Sequence, residues 1–428
     1  MTDRKDMPNI DPALLRGLTQ RRMSRRDVFR AAGVGVGALS LGAILASCGL
    51  SGGGGGGGSA SASAAAVDWN AAPTGKLNFA NWPYYIDQAK DPATGELVYP
   101  TIQNYEKKFG SSVNYDEEIQ DNAGFFGKIQ PQLAAGDYTG RDIIVITNGP
   151  TLDKLFQLNY LVELPTDMRP NFDKYASDAV KDPAYDPGNK YTMAWQSGLT
   201  GIGWDPLKVA ELRPDNPTIT SINDLYDPAF KGQVGMLGNS EDLPNLAMLG
   251  LGIIPEDSTP DQWQETANKL TEQLDAGIVR QYFEQNYITA LRQGNVALSM
   301  AWSGDIFQSN LTGDPEGLQF TVPDEGALIW TDNMCIPIGV ENAVEAITMM
   351  DYVYDPKVQA QIEDYNGYIC PVPAAQDIIR DVLDDPDTAD SPLVFPTPDE
   401  VAKLHSFRVL TPEETLQWNG IFQPIYQS

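Results

Sequence analysis

The chain has 428 residues, 42% of them hydrophobic, which is enough for two globular domains of ordinary size. Its formal charge of -29, from 29 Lys and Arg against 58 Asp and Glu, disfavours nucleic acid and anionic lipid as partners and favours cationic solutes. Because His405 is the single histidine and GxxxxGK[ST] does not occur, most catalytic and metal-site templates are excluded.

The N-terminal segment is predicted to be an export leader. Adjacent Arg25 and Arg26 precede an apolar, Gly- and Ala-rich run from Ala31 to Ser47, and this pattern resembles a twin-arginine signal. The run is short and rich in glycine, which argues against a permanent transmembrane helix. It ends at Cys48 in a segment that resembles the lipobox of bacterial lipoproteins. Residues 1–47 are therefore predicted to be a twin-arginine lipoprotein signal peptide, and Cys48 the lipidation site.

Residues 48–73 are predicted to be a flexible tether, because Ser51 to Ala66 consists of glycine, serine and alanine. The predicted arrangement is a globular body anchored by lipid to the extracytoplasmic face of the cell membrane, in the periplasm or outside.

Strands and helices alternate in the first part of the body. Strands are predicted at Lys76–Ala80, Ser112–Tyr115 and Arg141–Ile146, and helices at Pro100–Phe109, Asn122–Ala135 and Thr151–Leu158. This alternation favours a parallel α/β sheet, in which ligands bind at the carboxyl ends of strands. Asn81-Trp82 and Thr147-Asn148-Gly149 fall at such ends.

The second part begins with an extended segment, Asp186–Asp205, whose second half is predicted to be a strand between two lobes. The elements that follow are predicted as a short helix and turn at 221–232, strands at Gln233–Leu237, Val296–Trp302 and Ile329–Ile338, helices at Glu241–Gly250, Thr259–Ala276, Val344–Tyr354 and Pro356–Tyr365, and an acidic loop at 383–399. A last helix is predicted near Thr411, where Thr-Pro-Glu-Glu supplies an N-cap, a first-turn proline and acidic residues.

Glu325 to Pro337 contains an aromatic residue and a carboxylate two positions apart, Trp330 and Asp332. Side chains at that spacing in a strand project to the same side. An indole face and a carboxylate together suit an organic ammonium. The alternative is that Trp330 is a core residue and Asp332 caps a turn.

Several segments occur in an order and spacing that resembles the bacterial spermidine and putrescine binding proteins of ABC importers, over roughly residues 75–428. They are ANWPYY, YDPGNKYTMAWQSGLTGIGWD, SINDLYDPAFKG, VALSMAWSGD, EGALIWTDNMCIP and CPVPAA. The resemblance implies an α/β, two-lobe periplasmic-binding-protein fold (type II-like) with hinge strands, a central ligand cleft and no catalysis. Lobe 1 is predicted at 74–198 with 332–376, and lobe 2 at 199–331 with 377–428.

The resemblance also implies which side chains contact the ligand. Trp82, Trp302, Trp330 and Asp332 match the walls and one anionic end of a polyamine slot. The full predicted ligand-binding set is Trp82, Tyr85, Thr147, Asn239, Asp242, Trp302, Trp330, Asp332 and Gln417.

The sequence departs from this family at three positions. Gly149-Pro150 replaces an expected aromatic residue, Asn239 replaces an aspartate, and a late glutamine aligns with either Gln417 or Trp418. Since each buried ammonium needs a charge partner, the loss of a carboxylate at Asn239 bears on specificity for a triamine. Tyr85 and Glu241 are candidate compensations.

Cys335 and Cys370 are the cysteines that remain after Cys48. In an exported protein they either form a disulfide or stay as two buried free thiols, and the sequence leaves both alternatives open.

These observations predict the lipid-anchored substrate-binding component of an ABC importer. It would be a monomer that captures a polyamine and passes it to the transmembrane permease subunits, without enzymatic activity, cofactor or metal. The alternatives are the same fold with another organic cation, an opine or a sugar-derived solute, an extracellular carboxylate-dependent hydrolase, and an adhesion module.

Overall fold

The structure, a computed structural model, describes residues 66–284, 286–311 and 317–428. The predicted signal peptide, Cys48 and most of the tether lie outside the described residues. Within those ranges, no helix is both long and apolar enough to cross a lipid bilayer.

The strands of the described residues are Lys76–Asn81 (β1), Ala89–Lys90 (β2), Leu97–Val98 (β3), Ser112–Glu117 (β4), Ile143–Thr147 (β5), Thr192–Trp204 (β6), Val234–Leu237 (β7), Val279–Phe283 (β8), Leu298–Trp302 (β9), Gln319–Thr321 (β10), Ala327–Cys335 (β11) and Leu404–His405 (β12).

Their α-helices are Pro100–Phe109 (α1), Asn122–Ala135 (α2), Pro150–Gln157 (α3), Pro170–Tyr175 (α4), Pro206–Leu212 (α5), Asp242–Leu249 (α6), Pro260–Asp275 (α7), Tyr287–Arg292 (α8), Ser303–Leu311 (α9), Ala343–Tyr352 (α10), Pro356–Asn366 (α11), Gln376–Asp381 (α12), Pro386–Ala389 (α13), Pro398–Val401 (α14) and Pro412–Tyr426 (α15).

One large sheet has the order β4-β1-β5-β11-β6-β9-β7-β8, with β10 beside β6 and β12 beside β11. β1 is parallel to β4 and β5, and β7 is parallel to β8 and β9. Between these groups, β11 is antiparallel to β5 and β6, and β6 is antiparallel to β9. The parallel pairing predicted for the first part of the body is therefore confirmed for β1, β4 and β5, whereas the centre of the sheet is antiparallel. The strand–helix alternation that produces parallel pairing stops before the 13-residue β6.

The two long central strands, β6 and β11, connect both ends of the sheet. Every residue of β6 except Trp204 is buried, which explains its nearly continuous small and apolar sequence. The predicted lobe boundaries at 198/199 and 331/332 fall inside these strands, where Ser197 and Thr331 are register partners. The division into lobes stays a prediction.

The helices at Pro100–Phe109 and Asn122–Ala135 are confirmed to the residue, and Thr411 is confirmed as the N-cap of the last helix. The sequence analysis missed β8, whose polar residues lie at an edge of the sheet, and also α9, which begins directly after β9. Strand periodicity cannot reveal a polar edge strand of this kind.

Cys335 and Cys370 are both buried and free. The Sγ atom of Cys335 lies 3.5 Å from the carbonyl oxygen of Asn333, and that of Cys370 lies 3.2 Å from the carbonyl oxygen of Val372. Each thiol thus donates to a carbonyl of its own segment. Of the two alternatives left by the sequence, the structure has the free thiols and not the disulfide.

We therefore expect two reactive thiols per chain when protein lacking residues 1–73 is denatured without reductant and titrated with a thiol reagent. The same sample after reduction is the control and should give the same count. No thiol before reduction and two after it would contradict the structure.

Candidate ligand-binding site

Asp332, on β11, is 4% exposed and accepts two short hydrogen bonds. The hydroxyl of Tyr85 donates to its Oδ2 at 2.6 Å, and the hydroxyl of Thr147 donates to its Oδ1 at 2.6 Å. Asn122 in turn donates to the Thr147 hydroxyl at 2.9 Å. Burial raises the pKa of Asp332 to about 6 although both hydrogen bonds lower it. The carboxylate is therefore oriented but electrostatically unsatisfied.

Asp242, the first residue of α6, is the centre of a second group and is 5% exposed. It accepts hydrogen bonds from the Thr200 hydroxyl at 2.5 Å, the Asn239 amide at 2.8 Å and the Trp302 indole N–H at 3.2 Å. The indole N–H of Trp330 donates to the same Thr200 hydroxyl at 3.1 Å. Thr200 thus connects the aromatic residue of β11 to the carboxylate of α6.

Tyr368 lies between the two groups. Its ring is 4.9 Å from the Tyr85 ring in an edge-to-face contact and 5.9 Å from the Trp330 ring. Burial raises the pKa of Tyr368 well above its usual value, and the charges of Asp305 and Asp332 raise it further. The charges of two carboxylates therefore act on one phenol.

Asp305, in the first turn of α9, is a third carboxylate of this region. The Tyr287 hydroxyl donates to its Oδ2 at 2.6 Å and accepts the backbone N–H of Trp302 at 2.9 Å. Burial raises the pKa of Asp305 to about 6, with only the Tyr287 hydrogen bond opposing the shift. Tyr287 fixes both Asp305 and the end of β9.

The sheet register explains two of these contacts. Asp332 and Thr147 are directly opposed in the antiparallel pair of β11 and β5, so their side chains lie together. Trp330 packs against Gly198 of β6, where an added Cβ would come within 2.4 Å of the indole ring. A glycine is therefore required at position 198 for this placement.

The remaining predicted residues are less central. Trp82 is partly buried, and its indole N–H donates to the carbonyl oxygen of Val145 at 3.1 Å. Gln417 is exposed on α15, and its place in the site stays a prediction. Trp418 is buried instead and donates to the carbonyl oxygen of Ser240 at 2.9 Å. Of the two positions left open by the sequence, Trp418 is the one that faces the start of α6.

A small cavity of about 40 Å³ lies beside the start of α6, between Glu241, Trp418 and Pro150. Burial and the neighbouring Asp242 raise the pKa of Glu241 to about 7. Glu241 is thus a fourth carboxyl group in this part of the protein, and its role as a compensation for Asn239 stays a prediction.

The arrangement is suited to an organic cation. Within the described residues, no Lys, Arg or His forms an ion pair with Asp332, Asp242 or Asp305. Buried carboxylates without a cation are costly, and ammonium groups that also contact aromatic faces would supply both missing interactions. No group of three or more ligating side chains in the described ranges is placed to hold a metal.

Sequence reasoning missed three important residues, Thr200, Asp305 and Tyr368. Asp305 could have been found, because it follows the end of a predicted strand. Tyr368 follows Gly367, whose φ of 64° ends α11 and turns the chain back toward the sheet. Thr200 is in the middle of a strand and carries no local signal.

Comparisons with known proteins are consistent with this geometry. The chain belongs to the family of bacterial extracellular solute-binding proteins, whose sequence profile matches residues 141–403. It is 28% identical over 284 residues to the putrescine/agmatine-binding protein of Pseudomonas aeruginosa, covering 63% of this chain and 73% of that protein. It is 27% identical over 353 residues to the putrescine-binding periplasmic protein PotF of Escherichia coli, covering 80% and 89%.

Among solved structures, the chain is similar to the spermidine/putrescine ABC transporter substrate-binding protein PotD of Streptococcus pneumoniae. The TM-score is 0.68 with 22% identity, over 82% of this chain and 98% of that chain. This similarity confirms the predicted fold class, a two-lobe periplasmic-binding-protein fold.

Proposed function

We propose that the protein is the substrate-binding component of an ABC importer and captures a polyamine such as putrescine or spermidine. The observation that carries the proposal is a set of carboxylates beside aromatic rings, the buried Asp332 and Asp242 and the half-buried Asp305, none of which has a basic partner within the described residues. The names of the relatives support the same ligand class.

Ligand capture would work by differential affinity. Asp332 lies in predicted lobe 1, whereas Asp242 and Asp305 lie in predicted lobe 2. A diamine whose two ammonium groups contact both sides stabilises the closed form over the open form. Tyr368 is placed to contact the alkyl chain between them.

We further propose that Cys48 carries the lipid anchor and that the tether lets the body reach the permease at the extracytoplasmic face of the membrane. Two acyl chains give stable anchoring, whereas one gives marginal binding. No enzymatic turnover is part of this function.

Thermal unfolding of the body with putrescine, cadaverine, spermidine, spermine and arginine tests the proposal. A ligand that binds only the native state raises the melting temperature with the logarithm of its concentration. We expect such a shift with at least one di- or triamine. A shift with an opine or a sugar acid alone would favour another ligand of the same fold, and turnover of a glycoside would favour the hydrolase.

Polyamine binding should weaken at acidic pH. Asp332 and Asp305 both have a pKa of about 6, and only their ionised forms attract an ammonium. Between pH 7.5 and pH 5 each group takes up a proton, so affinity should fall by about tenfold for each carboxylate that the ligand requires. Calorimetry across this range checks the prediction, and a constant affinity would contradict it.

A further inference from the structure

A separate carboxylate, Glu117, lies at the carboxyl end of β4. Side chains alternate along a strand, so Tyr115 and Glu117 face one side and Asp116 and Glu118 face the other. Arg141 pairs with the carboxylates of the second side. Its Nε donates a hydrogen bond to Glu118, and its Nη2 lies 3.5 Å from Oδ2 of Asp116. No basic residue of the described part of the chain forms an ion pair with Glu117.

The Glu117 carboxylate is held in a fixed orientation. The backbone N–H of Tyr84 donates to its Oε1 at 3.2 Å, and the Gln88 amide donates to the same oxygen at 2.5 Å. Within the described residues Oε2 accepts no hydrogen bond, so it is available to a ligand. Tyr84 has a φ of 60°, in the left-handed region of the backbone. The next residue, Tyr85, donates its hydroxyl to Asp332.

Two tyrosines pack beside this carboxylate. The rings of Tyr99 and Tyr115 are 4.8 Å apart. The buried Tyr115 hydroxyl makes no hydrogen bond of good geometry among the described atoms, although the Asn81 side chain lowers its pKa. Tyr115 lies on the Glu117 face of β4.

A fourth tyrosine, Tyr365, reaches the same place from α11. Asp87 accepts hydrogen bonds from the Thr101 backbone N–H at 3.0 Å and the Gln361 amide at 2.6 Å, which joins α11 to the start of α1. Tyr365 is one turn after Gln361 and therefore lies on the same face of the helix. The second carboxylate oxygen of Asp87, a residue that is 5% exposed, has no partner among the described atoms.

The electrostatics agree with this placement. Burial raises the pKa of Tyr84, Tyr99, Tyr115 and Tyr365, and in each case the charge of Glu117 is the next largest cause. The charge of Glu117 therefore acts on all four phenols. Aromatic faces around a carboxylate are the chemistry that recognises alkylammonium groups.

We propose that Glu117 with Tyr84, Tyr99, Tyr115 and Tyr365 forms a second ammonium subsite, which binds the terminal amine of a triamine whose other two amines are held at Asp332 and at the carboxylates of predicted lobe 2. The backbone N–H of Tyr84 is bonded to Glu117 and the hydroxyl of the next residue, Tyr85, is bonded to Asp332, so one dipeptide contacts both carboxylates. This inference rests on the proposed function and specifies it as selectivity for a triamine over a diamine.

Calorimetric titration of the protein with putrescine and with spermidine tests the Glu117 subsite. Glu117→Gln keeps the shape and the acceptor for Tyr84 but removes the charge. We expect spermidine affinity to fall by roughly tenfold or more and putrescine affinity to change by less than about twofold. The matched control is Glu118→Gln on the opposite face of the same segment, which should leave the selectivity unchanged.

Tyr99→Leu is a second variant, which removes an aromatic face without changing the charge and should reduce spermidine affinity selectively. Melting temperatures without ligand show whether each variant folds. Equal losses for both amines, or no loss for either, would overturn the second subsite. If the unaltered protein bound neither amine, the proposed function itself would fail, and the subsite with it.

Discussion

Asp332→Asn should abolish measurable polyamine binding and at the same time stabilise the ligand-free protein at neutral pH. The carboxylate is 4% exposed, has no ion-pair partner among the described residues and has a pKa of about 6. Removing its charge removes the interaction with an ammonium, and loss of one partner of a buried ion pair typically costs ~3–5 kcal/mol, or more than a hundredfold in affinity.

The sign of the stability effect follows from the raised pKa. The native state holds the proton more tightly than the unfolded chain, in which an aspartate titrates near ~3.9. Protonated Asp332 therefore favours the folded state, and this contribution to the free energy of unfolding is fully present below the unfolded pKa. It is lost as the pH rises through the folded pKa of about 6. Urea denaturation at pH 7.5 and pH 4 should therefore show that Asp332→Asn is more stable than the unaltered protein only at the higher pH.

Asp153→Asn is the matched control. Burial alone raises the pKa of Asp153, on α3, to about 6, so its substitution should give a similar pH-dependent gain in stability. Polyamine affinity should not change. Undiminished binding by Asp332→Asn, or equal loss of binding in both variants, would contradict the role assigned to Asp332.

Gly304→Ala should lower both stability and polyamine affinity. A Cβ at position 304 would lie 2.3 Å from Cζ of Tyr368, and the Tyr368 ring is confined by Tyr85 and Trp330. Overpacking of this kind typically costs ~1–3 kcal/mol. Because the displaced phenol lies between the candidate carboxylates, we expect affinity to fall by about tenfold or more.

Gly127→Ala is the control glycine substitution, since Gly127 lies in α2 and a Cβ there would meet no atom within 4 Å. It should stabilise the protein by roughly 0.5–1 kcal/mol through helix propensity. A double-mutant cycle gives the sharper test, because Gly304→Ala should cost little stability in a Tyr368→Ala background. The same cost in both backgrounds would show that the tyrosine is not the obstacle.

The sequence predicted the parts of the fold that depend on local patterns. The β-branched run before Thr147 and the apolar run before Trp302 marked two buried strands, and glycines and caps marked the helix ends. The antiparallel centre of the sheet could not be predicted in this way, because pairing between β6 and β11 joins residues more than 100 positions apart. The alternation of strands and helices along the sequence gives information only about segments that are adjacent in the chain.

The candidate site was predictable where one strand carried both chemical groups, as at Trp330 and Asp332. It was not predictable where contacts cross the molecule, as in the sharing of Thr200 by Trp330 and Asp242. Tyr368 illustrates the same limit, since its position depends on packing against Gly304.

The structure gives Asn239 a role that differs from the one inferred from the sequence. From sequence it is a lost carboxylate, but its amide donates to Asp242 at 2.8 Å and its carbonyl oxygen accepts the backbone N–H groups of Glu241 and Asp242 at 3.0 and 2.6 Å. An ionised aspartate could not donate to Asp242 and would repel it. Asn239 therefore orients the Asp242 carboxylate.

The most direct measurement is a calorimetric titration of ligand-free protein at pH 7.5 with putrescine and spermidine, alongside Asp332→Asn. The expected result is saturable binding of one molecule of at least one amine per chain, absent in the variant. No binding of putrescine, spermidine, cadaverine or spermine, in protein shown by mass spectrometry to be free of copurified ligand, would contradict the assignment of a polyamine site to these carboxylates.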